Sequence, residues 1–159
     1  MDRSNEALLL AGGLEVRRVV RVVTADELNN LQTAPTPPEL IPAPGAGFYI
    51  SVLSCVAVYK AGLTPFSVNV NSHLILTYSN GGAPQFLQCM ETNFLDQDVD
   101  QIMMNTGFTL PAGFTSIEVA TDIENEAVSL GGDQTSDGDG SVIFVLLYAI
   151  VPLIATESL

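Results

Sequence analysis

Residues 40–59, Leu-Ile-Pro-Ala-Pro-Gly-Ala-Gly-Phe-Tyr-Ile-Ser-Val-Leu-Ser-Cys-Val-Ala-Val-Tyr, constrain the fold more than any other stretch. Pro42, Pro44, Gly45 and Gly47 exclude both helix and central strand, because proline lacks an amide donor and fixes φ while glycine tolerates positive φ. Phe48 to Tyr59 then runs without Pro or Gly and is rich in β-branched and aromatic residues. A sharp turn feeding one long strand is the simplest reading. Plain alternation puts Phe48, Ile50, Val52, Val56 and Val58 on one face, and Tyr49, Leu53, Cys55, Ala57 and Tyr59 on the other. A strand apolar on both faces is either covered on both or lies at a subunit contact.

The segments before it are short. Residues 14–23 can pair as a strand, and Arg17, Arg18 and Arg21 favour an edge or interface position over a sheet centre. Thr24-Ala-Asp-Glu27 has capping-box spacing, and Leu28 and Leu31 supply an apolar side for a helix of about two turns. Pro35, Pro37 and Pro38 forbid its continuation.

After the long strand, residues 66–78 alternate apolar with polar and predict a strand with one wet face. Asn80-Gly81-Gly82 is a turn signal, and 85–90 reads as a short strand. Residues 93–104 are ambiguous, since Leu95, Val99, Ile102 and Met103 have helical spacing. Residues 107–113 read as loop, 115–121 and 126–130 as short strands, 131–140 as a mobile acidic loop and 142–151 as the last strand. No long amphipathic helix separates these strands, which excludes parallel β-α-β units. An all-β antiparallel sandwich or barrel remains, and a jelly-roll β-sandwich fits the length and strand count. The division expected is an N-terminal docking arm, 1–23, and a single domain, 24–159.

Charge narrows the partners. The net charge is −13. Residues 1–21 hold four arginines against three acids, whereas residues 22–159 hold one base, Lys60, against fifteen acids. So acidic a body repels phosphate backbones and anionic membranes, so neither nucleic acid nor membrane is an expected partner. Arg17, Arg18 and Arg21 read either as a solvated edge or as a basic patch that docks on an acidic neighbour such as another subunit. Only 14% of residues are charged against 47% hydrophobic. That balance fits a surface covered by other subunits, or equally a Ser/Thr/Asn-rich exterior.

No constellation for catalysis emerges, and the chain does not read as an enzyme or as a cofactor protein. His73 is the single histidine and has no zinc set or nucleophile nearby in sequence. Asp96, Asp98 and Asp100 alternate but have no partner base, so a solvated face is the plainer reading. Asp133 to Ser141 has the look of a calcium loop, yet position twelve of that register is Phe144, where a bidentate Glu is needed. A hairpin loop explains its Asp and Gly residues. Residues 142–155 are the most hydrophobic run, but fourteen residues interrupted by Pro152 do not make a membrane helix. Leu8-Leu9-Leu10 is too short and lacks the basic lead of a signal peptide. Cys55 and Cys89 are no disulfide scaffold, although one bridge between them is compatible with the sequence. A reducing cytoplasm is the expected place of synthesis.

The order of features carries a resemblance. Thr-Ala-x-Glu-Leu-x-x-Leu (24–31) is followed by a Thr/Pro tract, then Leu-Ile-Pro-Ala-Pro-Gly-Ala-Gly (40–47) and the long apolar strand. Leu-Ile-Leu-Thr-Tyr (74–78), Asn-Glu-Ala-Val-Ser-Leu (125–130), Gly138-Asp139-Gly140 and Val-Ile-Phe-Val-Leu-Leu-Tyr (142–148) complete it. Over about 24–151 this resembles a family of small virion structural proteins of tailed bacteriophages and prophages. The resemblance implies a jelly roll that decorates or cements the capsid exterior, commonly as a trimer, with the major capsid protein as partner and no catalytic residues. Phe48 departs from the pattern, where a polar or basic residue often follows Ala-Gly, and residues 1–23 have no counterpart in it. Two alternatives stand beside this expectation: a tail or fibre-attachment protein, and a sugar-binding adhesion module. The latter calls for exposed aromatics, and the chain has no Trp.

Overall fold

A computed structural model of the chain describes residues 8–9, 15–69, 72–79, 87–90, 93–105, 123–132 and 135–152. The strands are β1 (Leu8–Leu9), β2 (Glu15–Val23), β3 (Glu39–Ile41), β4 (Phe48–Lys60), β5 (His73–Tyr78), β6 (Leu87–Met90), β7 (Gln101–Asn105), β8 (Val128–Gly132) and β9 (Ser141–Pro152). One helix, α1, spans Ala25–Asn29. The strands form two antiparallel sheets, in the orders β1-β2-β9-β4-β7 and β3-β8-β5-β6. The protein is therefore mostly β, as the spacing of its strands and turns predicts. The expected turn at 80–82, loop at 107–113 and strand at 115–121 lie outside the described residues.

One buried cluster takes side chains from both sheets. Ile50, Tyr59 and Phe144 come from the five-stranded sheet, and Ile41, Leu74 and Leu130 from the four-stranded one. Each such side chain contributes about 1.5–3 kcal/mol on burial. The Tyr78 hydroxyl donates to the Ile50 carbonyl at 2.6 Å, a buried bond that ties β5 of one sheet to β4 of the other. Burial holds that phenol protonated well above its ordinary range.

The Pro/Gly segment is locked to the loop before β8. Gly45 and Gly47 have φ of 102° and 81°, a region that favours glycine. Their amides donate to Asn125 Oδ1 (2.8 Å) and Glu124 Oε1 (2.6 Å). The Asn125 amide returns a bond to the Phe48 carbonyl. This places the start of β4 against the segment that leads into β8.

The face assignment predicted for β4 is corrected by a β-bulge. Its register against β9 shifts between Val52 and Ser54, leaving Leu53 as the extra residue. An inserted residue flips the alternation. Ile50 is buried before the bulge; Cys55, Ala57 and Tyr59 are buried after it. Strict alternation had put Ile50 and Tyr59 on opposite faces.

Three further expectations change. Residues 66–78 are not one strand: β5 begins at His73, while Phe66 is buried in an irregular segment whose Ser67 bridges Ser136. Residues 93–104 contain no helix; a turn at 93–95 buries Phe94 and Leu95, and β7 follows. From Thr135 to Gly140 the acidic loop is anchored. The Thr135 hydroxyl donates to the Leu28 carbonyl, Asn29 Nδ2 donates to the Gly138 carbonyl, and the Thr64 amide donates to Asp139 Oδ1. Gly138 and Gly140 sit under aromatic rings: a Cβ at Gly138 would lie 2.2 Å from Phe66, and one at Gly140 2.6 Å from Tyr59.

Two predictions follow from this packing. Gly138→Ala should cost about 1–3 kcal/mol in urea unfolding, through forced displacement of Phe66. Gly131→Ala, whose nearest contact would be 3.9 Å away, should change stability by less than about 1 kcal/mol; equal losses would contradict the packing described. Cys55 is a free, buried thiol whose pKa burial pushes up from 9.0 to about 12. Its folded form keeps the proton while the unfolded chain ionises. Its contribution is therefore intact below pH 9 and declines as pH rises from 9 toward 12, by about 1.4 kcal/mol at pH 10. Urea midpoints at pH 7 and 10 should diverge in the native chain and diverge less in Cys55→Ala.

Candidate interaction surface

The outer side of the five-stranded sheet is built from residues that alternate away from the core. On β2 these are Arg18, Val20 and Val22, all exposed. Arg18, Val20 and Val22 pair with Leu147, Val145 and Ile143 of β9. The same three β9 residues pair with Ser54, Val56 and Val58 of β4. Val56 and Val58 in turn pair with Met104 and Ile102 of β7. Two continuous aliphatic rungs result, Val22–Ile143–Val58–Ile102 and Val20–Val145–Val56–Met104. A third rung, Arg18–Leu147–Ser54, closes one end.

The ends of the rungs are open. Val22 is 45% exposed, Ile102 68% and Met104 69%. Leu53, displaced by the bulge, is 46% exposed. Strands spaced about 4.8 Å apart and rungs about 6.7 Å apart make this a flat apolar area some 15 Å on a side. At about 200 Å² it is a contiguous patch rather than a scatter of single exposed hydrophobics.

The predicted site arginines separate. Arg17 lies on the inner side and donates through Nε and Nη2 to Glu15 at 3.2 and 3.1 Å. That pairing raises its pKa. Arg21 ties three elements together: it donates to the Glu39 carbonyl of β3 and to Glu27 of α1, the latter at 2.5 Å. Glu27 also accepts the Thr24 amide in the capping box, while Thr24 Oγ1 accepts the Glu27 amide. Arg18 alone stands on the outer face, and among the described residues it has no hydrogen-bond or ion-pair partner. The segment expected as an arm is, from Glu15 onward, a strand of the sheet that pairs with β9 through Val23. Most of residues 1–13 lie outside the described residues.

At the diagonal corner from Arg18, the turn before β7 carries acids. Asp100 accepts from Lys60 and from the Ala61 amide (3.0 Å), which lowers its pKa, and Asp98 is exposed. Asp96 accepts the Asn93 amide, so the three aspartates form a turn rather than one strand face. His73 is half-buried at the start of β5.

Sequence reasoning missed an open cleft of about 800 Å³ lined by Arg21, Glu27, Pro35, Pro38, Glu39 and Ser129. It arises where the proline tract arches between α1 and β3, and no periodicity signals such an arch. Its one cation already bridges Glu27 and Glu39, and its lining includes neither cysteine nor histidine. Among the described residues no group of three or more His, Cys, Asp or Glu is placed to hold a metal ion. No helix among them is long and apolar enough to cross a membrane. No family model, curated protein or solved structure matches the chain.

The different environments of the arginines make a test. Arg21→Ala should destabilise the fold by about 1 kcal/mol, because it unties α1 and β3 from β2. Arg18→Ala should stay within about 0.5 kcal/mol of the native chain. Thermal unfolding of both variants checks this, and equal effects would contradict the arrangement.

Proposed function

We propose that this protein is a bacteriophage virion structural protein that decorates the capsid exterior. It cements the shell by bridging neighbouring major capsid subunits as a trimer. On this reading the two sheets form a jelly roll, made in the host cytoplasm and mounted on the particle after synthesis.

The observation that carries the reading is the apolar outer face of the five-stranded sheet. Its aliphatic rungs lie on the side away from the buried cluster, so much of their apolar area stays in water until another surface covers it. The chain offers few charges to solvate that face. The Pro/Gly turn and Gly138–Gly140 loop, both part of the phage-protein resemblance, are tied to the rest of the fold by hydrogen bonds. A body that binds only the mature shell shifts the equilibrium toward that shell by mass action.

Purified protein mixed with particles lacking it should co-sediment at a saturable ratio. It should also raise the temperature at which the shells rupture by several degrees. Absence of binding to such particles would overturn the proposal. Labelled protein confined to tails would replace it with a tail-attachment role, and glycan-array binding without particle binding would favour the adhesion reading.

A further inference from the structure

We infer that the outer face of the five-stranded sheet packs against a second copy of this chain, the β2 side of one copy meeting the β7 side of the next. The inference deepens the trimer of the proposed function and rests on that oligomer, but not on the capsid.

The face carries opposite charges at opposite corners. Arg18 ends the third rung on β2, while Asp98 and Asp100 precede the first rung on β7. Arg18 has no partner among the described residues, in contrast to Arg17 and Arg21. Lys60, the one other described cation, is taken by Asp100. A copy shifted so that its β7 turn lies over Arg18 brings a carboxylate to that guanidinium. The same shift sets Ile102 and Met104 against Val20 and Val22, so apolar meets apolar and cation meets anion in a single arrangement. Two bodies of net charge −13 repel each other at long range, and the Arg18 contact is where that repulsion is locally reversed.

The contact joins two different halves of one face, so every copy offers a β2 half and a β7 half to its neighbours. A heterologous contact propagates from copy to copy and closes into a ring when the rotation permits. The exposed apolar ends on β2 and β7 are then both used in every copy. A two-fold pair uses both halves as well, each β2 half meeting the partner's β7 half, so the mass of the oligomer decides between pair and ring.

Light scattering coupled to size-exclusion chromatography on the full chain tests this, with sedimentation equilibrium for affinity. The native protein should run as an oligomer, at two or more times the 16.9 kDa chain mass. Arg18→Glu and Ile102→Lys should each raise the dissociation constant at least tenfold, and Thr36→Lys, an exposed position off the face, should not. Asp98→Arg added to Arg18→Glu should recover most of the loss. Far-UV circular dichroism confirms that each variant is folded, and Val20→Lys replaces any that is not. A native chain that stays monomeric at 100 μM overturns the inference, as does an oligomer indifferent to both Arg18→Glu and Ile102→Lys. Failure of the double variant to recover affinity removes the second copy as the partner of Arg18 and overturns it too. Particle binding measured in parallel keeps the two proposals apart. A monomer that still binds shells leaves the decoration reading standing without this interface, and an oligomer broken by these variants that ignores shells does the reverse.

Discussion

The pairing of β4 with β9 is the constraint on which the rest of the structure depends. It runs from Phe48 opposite Pro152 to Lys60 opposite Ser141, and β2 and β7 are added to its two sides. It is antiparallel and joins residues about ninety positions apart in the chain, so the whole intervening sequence must fold back before it closes. Its inner rows supply Ile50, Tyr59, Val142, Phe144 and Leu146 to the core. Its outer rows supply the centre of the apolar face. Core and candidate surface are thus two sides of one strand pair.

The bulge at Leu53 decides which side is which. Without it, Ile50 and Tyr59 could not both point inward, and either the Ile50 side chain would leave the core or the Tyr59–Phe66–Phe94 aromatic contacts would be lost. Those ring centroids lie 6.2 and 6.0 Å from Tyr59, within the range of favourable edge-tilted pairs. The bulge also pushes Leu53 outward beside the apolar rungs. One inserted residue therefore completes the core and enlarges the surface at once.

Much of this was legible in the residues, and the exceptions have physical causes. The capping box at Thr24 and Glu27, the turn at 42–47, and β4 and β9 follow from local chemistry: hydroxyl and carboxylate spacing, missing amide donors, and runs of β-branched residues. The bulge was hidden, because Val52, Leu53, Ser54 and Cys55 satisfy alternation in either phase. Leu95, Val99, Ile102 and Met103 mimic a helix, yet Phe94 and Leu95 are buried from a turn and Ile102 faces outward from a strand. The Thr135–Gly140 loop looked free, since its anchors, Leu28, Asn29 and Thr64, are distant in sequence. The arginines read as one group in the sequence, and only pairing register separates Arg18, on the outer face, from Arg17, paired with Glu15, and Arg21, which joins α1 and β3 to β2. The cleft under the proline tract left no signal at all.

The central claim is that the apolar face of the five-stranded sheet is a contact surface on an assembled virion. Electron cryomicroscopy of particles carrying the protein tests this most directly. The account predicts density on the shell exterior at three-fold positions, with the β2-β9-β4-β7 face buried against neighbouring chains. Density confined to the tail, or subunits on the shell with that face open to solvent, would contradict it.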